Sequence, residues 1–201
     1  MHRRLFLALL GVALIAAPSF AQSPPAQRIR GRVESLNGTT LMVKSREGQS
    51  LMITLTPDFA VSAVVPITLD KIVAGSYVGA ASMPQADGTQ KAIEVLVFPE
   101  SSRGSGEGHY PWDLQPQSMM TNATVAEVAA KPQGRELTLT YKGGTVKVVV
   151  PPEAPIVTFE AGDRSLIVPG AGVLIGATKA ADGSFTAARI NVGKNGFMPP
   201  M

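Results

Sequence analysis

Beyond the first few residues of the chain, histidine occurs once, as His109, between Glu107 and Asp113 in a span of seven residues. An imidazole titrating near neutrality beside two carboxylates is the residue set that general acid–base chemistry or a three-ligand metal site requires. The plainer alternative is a surface histidine that only hydrogen-bonds. Cysteine is absent, so a thiol nucleophile and a cysteine-ligated zinc site are excluded, and any Ser-His-acid triad would have to use His109. The stretch "GSGEG" just upstream lacks the Lys-Ser/Thr pair and the strand-to-helix setting of a phosphate loop, so its glycines are read as turn residues. Met119, Met120, Met198 and Met201 could offer thioether sulfur to Cu(I), but their spacing is not that of a repeated ligand motif. No cofactor is required by these residues; a divalent metal or copper is the alternative they leave open.

The segment that carries His109 must be held in place to do any of this. A flexible tether would consist of Gly, Ser and Pro, whereas this one continues "HYPWDLQP", with Tyr110, Trp112 and Leu114 supplying apolar area. We expect an ordered connector with Arg103, Tyr110 and Trp112 as anchors, the indole packed at a seam and Arg103 paired with Glu107 or Asp113.

The chain opens with "MHRRLFLALLGVALIAAPSFAQ", two arginines ahead of an apolar run of 13 residues and a small-residue cleavage site. We expect a signal peptide over 1–21, a disordered start over 22–26 and export to a bacterial periplasm. The run is too short for a spanning helix of roughly 20 residues, so no membrane insertion of the mature chain is expected. Loss of Arg3 and Arg4 would lower Lys plus Arg from 18 to 16 against 15 Asp plus Glu. That near-neutral balance, with no basic stripe, argues against nucleic acid as a partner. The formal sequons at Asn37 and Asn122 are read as a turn and as the start of a strand.

Two copies of one unit position the connector. At an offset of 95, Leu51, Ile53 and Leu55 fall on Val146, Val148 and Val150, and Ile72, Val73 and Gly75 on Ile167, Val168 and Gly170. Asp87-Gly88 falls on Asp182-Gly183, and a slip of a few residues sets Val33 on Val125. Each copy alternates with period two: Leu41 and Val43 share a face with Leu51, Ile53 and Leu55, and Leu137, Leu139 and Tyr141 with Val146, Val148 and Val150. After the third strand comes a short non-alternating piece that Thr68 could cap and Gly75 end. Five strands with one small helical turn after the third is the recipe of a Greek-key OB-type barrel. An open sandwich is the competitor.

The segments "RIRGRVESLNGTTLMVKSREGQ", "MPQADGTQKAIEVLVFPE", "RGSGEGHYPWDLQPQSMMTNATVAEV" and "INVGKNGFMPPM" resemble secreted proteins of unknown function from rhizobia and related bacteria, built from small, often tandem β-barrels. Some members carry a metal-transporter permease label, which a chain with only a cleavable leader does not fit. The resemblance implies a fold and a compartment, and no ligand.

The fold expected is therefore all-β: two tandem OB-like barrels, 27–99 and 121–193, joined by an ordered connector over 100–120 and followed by a tail over 194–201. The function expected is non-enzymatic binding or scaffolding, with an unknown periplasmic protein or small ligand as partner. A metal-handling accessory role through Glu107, His109 and Asp113 is the alternative, and a hydrolase at the same loop is third. Met42 and Met52 should face each other on the outside of the first barrel, where two apolar side chains imply a covering interface.

Overall fold

The computed structural model describes residues 26–132 and 134–199. The expected signal peptide, its expected cleavage site and most of the 22–26 segment lie outside the described residues, as does Met201. Among the described residues no helix is long and apolar enough to cross a membrane.

The alternation of the first copy folds into β1 (Gln27–Asn37), β2 (Thr40–Ser45), β3 (Ser50–Pro66), β4 (Tyr77–Pro84) and β5 (Gln90–Val97). A short β6 (Gly108–Pro111) lies in the connector. The second copy supplies β7 (Met119–Lys131), β8 (Gly134–Tyr141), β9 (Gly144–Val150), β10 (Ile156–Ala161), β11 (Gly172–Lys179) and β12 (Phe185–Gly193). The expected hairpins form, with Leu41 opposite Ile53 and Val43 opposite Leu51 in one, and Leu137 opposite Val148 and Leu139 opposite Val146 in the other. Thr68 and Asp163 precede matching 3₁₀ turns at Leu69–Lys71 and Arg164–Leu166; the Asp163 side chain accepts from the Ser165 amide, and Thr68 makes no such bond. Both Asp-Gly turns are closed alike, Asp87 accepting from the Thr89 amide and Asp182 from the Ser184 amide.

The pairing between elements departs from the expectation of one barrel per copy. The closed five-stranded mixed barrel runs β1-β2-β3-β12-β11, so three strands come from the first copy and two from the second. Its core holds Val33, Leu41 and Ile53 together with Val173, Ile175 and Ile190. Seven further strands extend the sheet. Five of them follow the corresponding order, β7-β8-β9 beside β4 and β5, with β5 and β9 meeting at Gln90–Val148 and Lys91–Val149. Their core joins Val78 and Val95 of the first copy to Leu137 and Val148 of the second.

The exchange is symmetric. β3 and β10 run antiparallel with Val64 opposite Phe159, its own equivalent at the offset of 95, so a pseudo-twofold axis passes between these two residues. The parallel pair Ile190–Val61 has Val95–Ile156 as its equivalent. Even the turns cross over: the Gly75 amide donates to the Val125 carbonyl, and the Gly170 amide to the Val33 carbonyl, each at 2.8 Å. The second copy breaks at Pro151–Pro152 where β3 runs on through Thr56 and Pro57; Pro152 matches Pro57, so the difference is Pro151 in place of Thr56, which adds a second residue with no ladder N–H.

A third apolar cluster lies at the seam between the two halves. Val64, Ala81, Leu96, Met120 and Val157 form it, with Phe98, Trp112, Phe159 and Leu174 packed against them. Met42 and Met52 do stand opposite each other on β2 and β3. The cover expected over them is not found on Met52, which is 58% exposed.

Candidate functional site

The connector is tied down along its length. β6 adds to the edge of β7 with His109 opposite Thr121 and Tyr110 opposite Met120. Successive residues of a strand point to opposite faces, which separates His109 from Tyr110. On one side His109 Nδ1 lies 2.8 Å from Thr121 Oγ1 and the ring stacks on Tyr141 at 6.1 Å. Burial pushes the His109 imidazole below its ordinary pKa. On the other side the Tyr110 hydroxyl donates to the Gly106 carbonyl at 3.2 Å, and the Asn122 amide nitrogen donates to that hydroxyl at 3.2 Å.

Beyond β6 the chain folds into a tight loop over buried Ser118. The Trp112 amide donates to the Ser118 carbonyl at 2.8 Å, while the Ser118 hydroxyl donates to Gln115 O at 2.7 Å. The indole lies half-buried at the seam, with the Arg28 guanidinium 3.6 Å from its ring centroid. We expect Trp112→Ala to lower the unfolding free energy by about 2 to 3 kcal/mol, from lost apolar burial and lost stacking. His109→Ala should cost under about 1 kcal/mol, since one neutral hydrogen bond is lost at a half-buried site. Urea denaturation of the two variants measures the difference.

The three residues proposed to converge do not. Glu107 accepts from the Lys142 amide at 2.8 Å, His109 turns to Thr121, and Asp113 accepts from Arg30 Nη2 at 2.8 Å with Arg28 at 3.6 Å. Among the described residues no group of three or more His, Cys, Asp or Glu could hold a metal ion. Burial by itself would raise the Asp113 carboxyl, but the hydrogen bond and charge of Arg30, with Arg28 beyond, hold it below the usual carboxylate range. Arg103 also differs from its expected pairing. It binds Glu100, three residues back in the same 3₁₀ turn, with Nη2 2.7 Å from Oε2, and its Nη2 also donates to the Gly75 carbonyl at 2.9 Å.

What the connector builds is a groove of about 230 Å³ at the seam. Its apolar lining is Leu96, Phe98, Met120, Phe159 and Leu174; Arg28, Trp112, Asn122 and Asn191 bring polar atoms to it. Arg28 and Met120 are repeat equivalents, as are Leu96 and Asn191, so the groove straddles the pseudo-twofold axis and its two sides differ in chemistry. Gly79 is part of this fit: a Cβ there would stand 2.7 Å from Asn122 Oδ1 and 3.1 Å from the Phe98 ring.

Close by, the seam buries charge. Glu94 on β5 has no solvent exposure, and neither carboxylate oxygen has a hydrogen-bond partner in the structure. Desolvation pushes its pKa up to about 8, against the opposing charges of Arg30 and Arg46. The sequence did hold a signal for part of this, which corrects the expectation of no basic stripe: Arg28, Arg30 and Arg32 recur at spacing two on one face of β1. Glu94 had no such signal, because its repeat equivalent, Arg189, is exposed.

A larger cleft, about 780 Å³, lies between the Ala86–Asp87 turn and Pro151–Pro152. Its walls are mostly turn residues and exposed polar side chains around Val149 and Pro151, and Asp87 is committed to Thr89 within its own turn. Comparison of the chain with protein-family models, with curated proteins and with solved structures finds no significant match to any of them.

Proposed function

We propose that the protein is a non-enzymatic binding or scaffolding module of the bacterial periplasm, exported by its leader, and that it holds a small ligand in the seam groove. In this reading the β7-β8-β9-β5-β4 set is a second OB-like barrel, and the kinship with secreted small-barrel proteins holds. The observation that carries the reading is the connector: a loop fastened at Ser118 sets Trp112, with Arg28 stacked on it, beside an apolar groove that both halves line. Grooves between packed units with an apolar lining and a few fixed polar groups are where small ligands bind. Among the described residues that line it there is no serine, threonine, histidine or carboxylate, and binding rather than turnover is the role proposed.

The test is native mass spectrometry of protein purified from periplasm, compared with the same sample after denaturing desalting. A small-molecule mass carried by the native protein and lost from the Trp112→Ala variant is the expected result. A bound mass that survives Trp112→Ala, or native protein that carries a metal on elemental analysis and nothing else, overturns the groove as the site.

A further inference from the structure

We infer that the seam groove selects a small aromatic carboxylate, one ring bearing a short acid side chain, with Arg28 as the residue that reads the charge. This rests on the groove being the binding site and adds the chemistry of what enters it.

Size comes first. A cavity of about 150 Å³ lined by aliphatic and aromatic side chains holds one benzene. The seam groove, at about 230 Å³, has room for a ring and a few further heavy atoms. Shape follows from Phe98 and Phe159, whose rings meet edge to face at 6.4 Å and offer a flat guest the tilted contacts that aromatic pairs prefer. Leu96 and Leu174 extend the apolar wall.

Charge decides the class. Arg28 and Arg30 share the single carboxylate of Asp113, and they share it unequally: Arg30 takes the hydrogen bond at 2.8 Å, while Arg28 stands at 3.6 Å. No side-chain hydrogen bond of Arg28 to another described residue is found, and its side chain is 36% exposed. The cluster at the groove thus holds one positive charge more than Asp113 neutralises. The guanidinium carbon lies 3.6 Å from the Trp112 ring centroid, so the indole holds Arg28 at the groove, and its Nη1 stands 3.6 Å from Asp113, too far for a hydrogen bond. Arginine's planar fork suits it to a carboxylate. Glu94 does not cancel this charge near neutrality, because burial keeps most of it protonated there. A neutral ring compound would fill the apolar part and leave the arginine unanswered.

Trp112 is the single tryptophan of the chain, so its fluorescence reports on the site directly. The mature full-length protein is titrated with 3-phenylpropionate, with its neutral amide and with acetate in an amine buffer at pH 7. Saturable change with the acid, at least tenfold weaker binding of the amide, and no response to acetate are expected. Arg28→Met should erase the difference between the acid and the amide. If acid and amide bind alike to the wild-type protein, charge selection is wrong while the groove remains a binding site. If neither binds, the ligand class is wrong, and the mass-spectrometric result alone then decides the groove. The wild-type comparison stands even if the variant misfolds.

Discussion

Glu94→Gln will make the protein more stable at pH 8 than the wild type, by on the order of 3 to 5 kcal/mol, and the advantage will vanish near pH 4. Glu94 is fully buried, both its oxygens lack partners, and desolvation raises its folded-state pKa to about 8 from the ordinary 4.5. For an acid whose folded-state pKa is raised, the folded state binds the extra proton. Its contribution to stability is therefore complete below about pH 4.5 and is lost as pH rises through about 8. Glutamine copies the shape of the protonated acid and cannot ionise, so the variant escapes that loss. Groups whose folded-state pKa is lowered slope the opposite way, Asp113 and His109 among them. Asp113, held low by Arg30 and Arg28, loses stability in acid, and His109, lowered by burial, loses it as pH falls below the ordinary histidine range. Both are shared by the two proteins and cancel in the difference. Urea denaturation of each at pH 4, 6 and 8 reads it. Parallel curves would mean that Glu94 is ionised in the folded protein, paired with Arg30 and Arg46 across the seam.

Cutting the chain, produced from Gln22 onward, ahead of Gly104 will give two fragments, 22–103 and 104–201, neither of which folds as a monomer, while the two together restore the native structure. The exposed turn around Gly104 makes the cut itself mild. The first fragment keeps β1, β2 and β3 but loses β11 and β12, which close their barrel; the second keeps β7, β8 and β9 but loses β4 and β5. Each would be left with open strand edges and half of a shared core, an arrangement that does not persist alone in water. Sedimentation and circular dichroism decide the matter. A 1:1 complex with native fluorescence is expected on mixing, and either fragment alone should be unfolded or a homodimer that exchanges strands. A folded monomeric 22–103 would show that one copy can close on itself.

Much of the molecule was determined by its sequence alone. The alternation of Leu41, Val43, Leu51 and Ile53, and of Leu137, Leu139, Val146 and Val148, dictates two hairpins, because a one-residue slip would turn every apolar side chain to water. Asp-Gly pairs require their turns, since glycine alone takes φ near +82° and +86° without a steric cost. Trp112 and its prolines marked the connector as an ordered segment. Only tertiary structure decided which hairpin joins which. Strands β4 and β5 carry nearly the same pattern as β11 and β12, so either pair satisfies the local rules for joining β1-β2-β3 or β7-β8-β9, and the choice falls to how the chain turns after β3 and after β10. The seam is a product of that choice. Glu94 and Arg189 occupy equivalent outward positions, yet one is sealed and the other exposed, and Asp113 meets Arg30 across 83 residues of chain. Burial of an outward side chain depends on what packs over it from the other half, and period-two patterning carries no record of that neighbour.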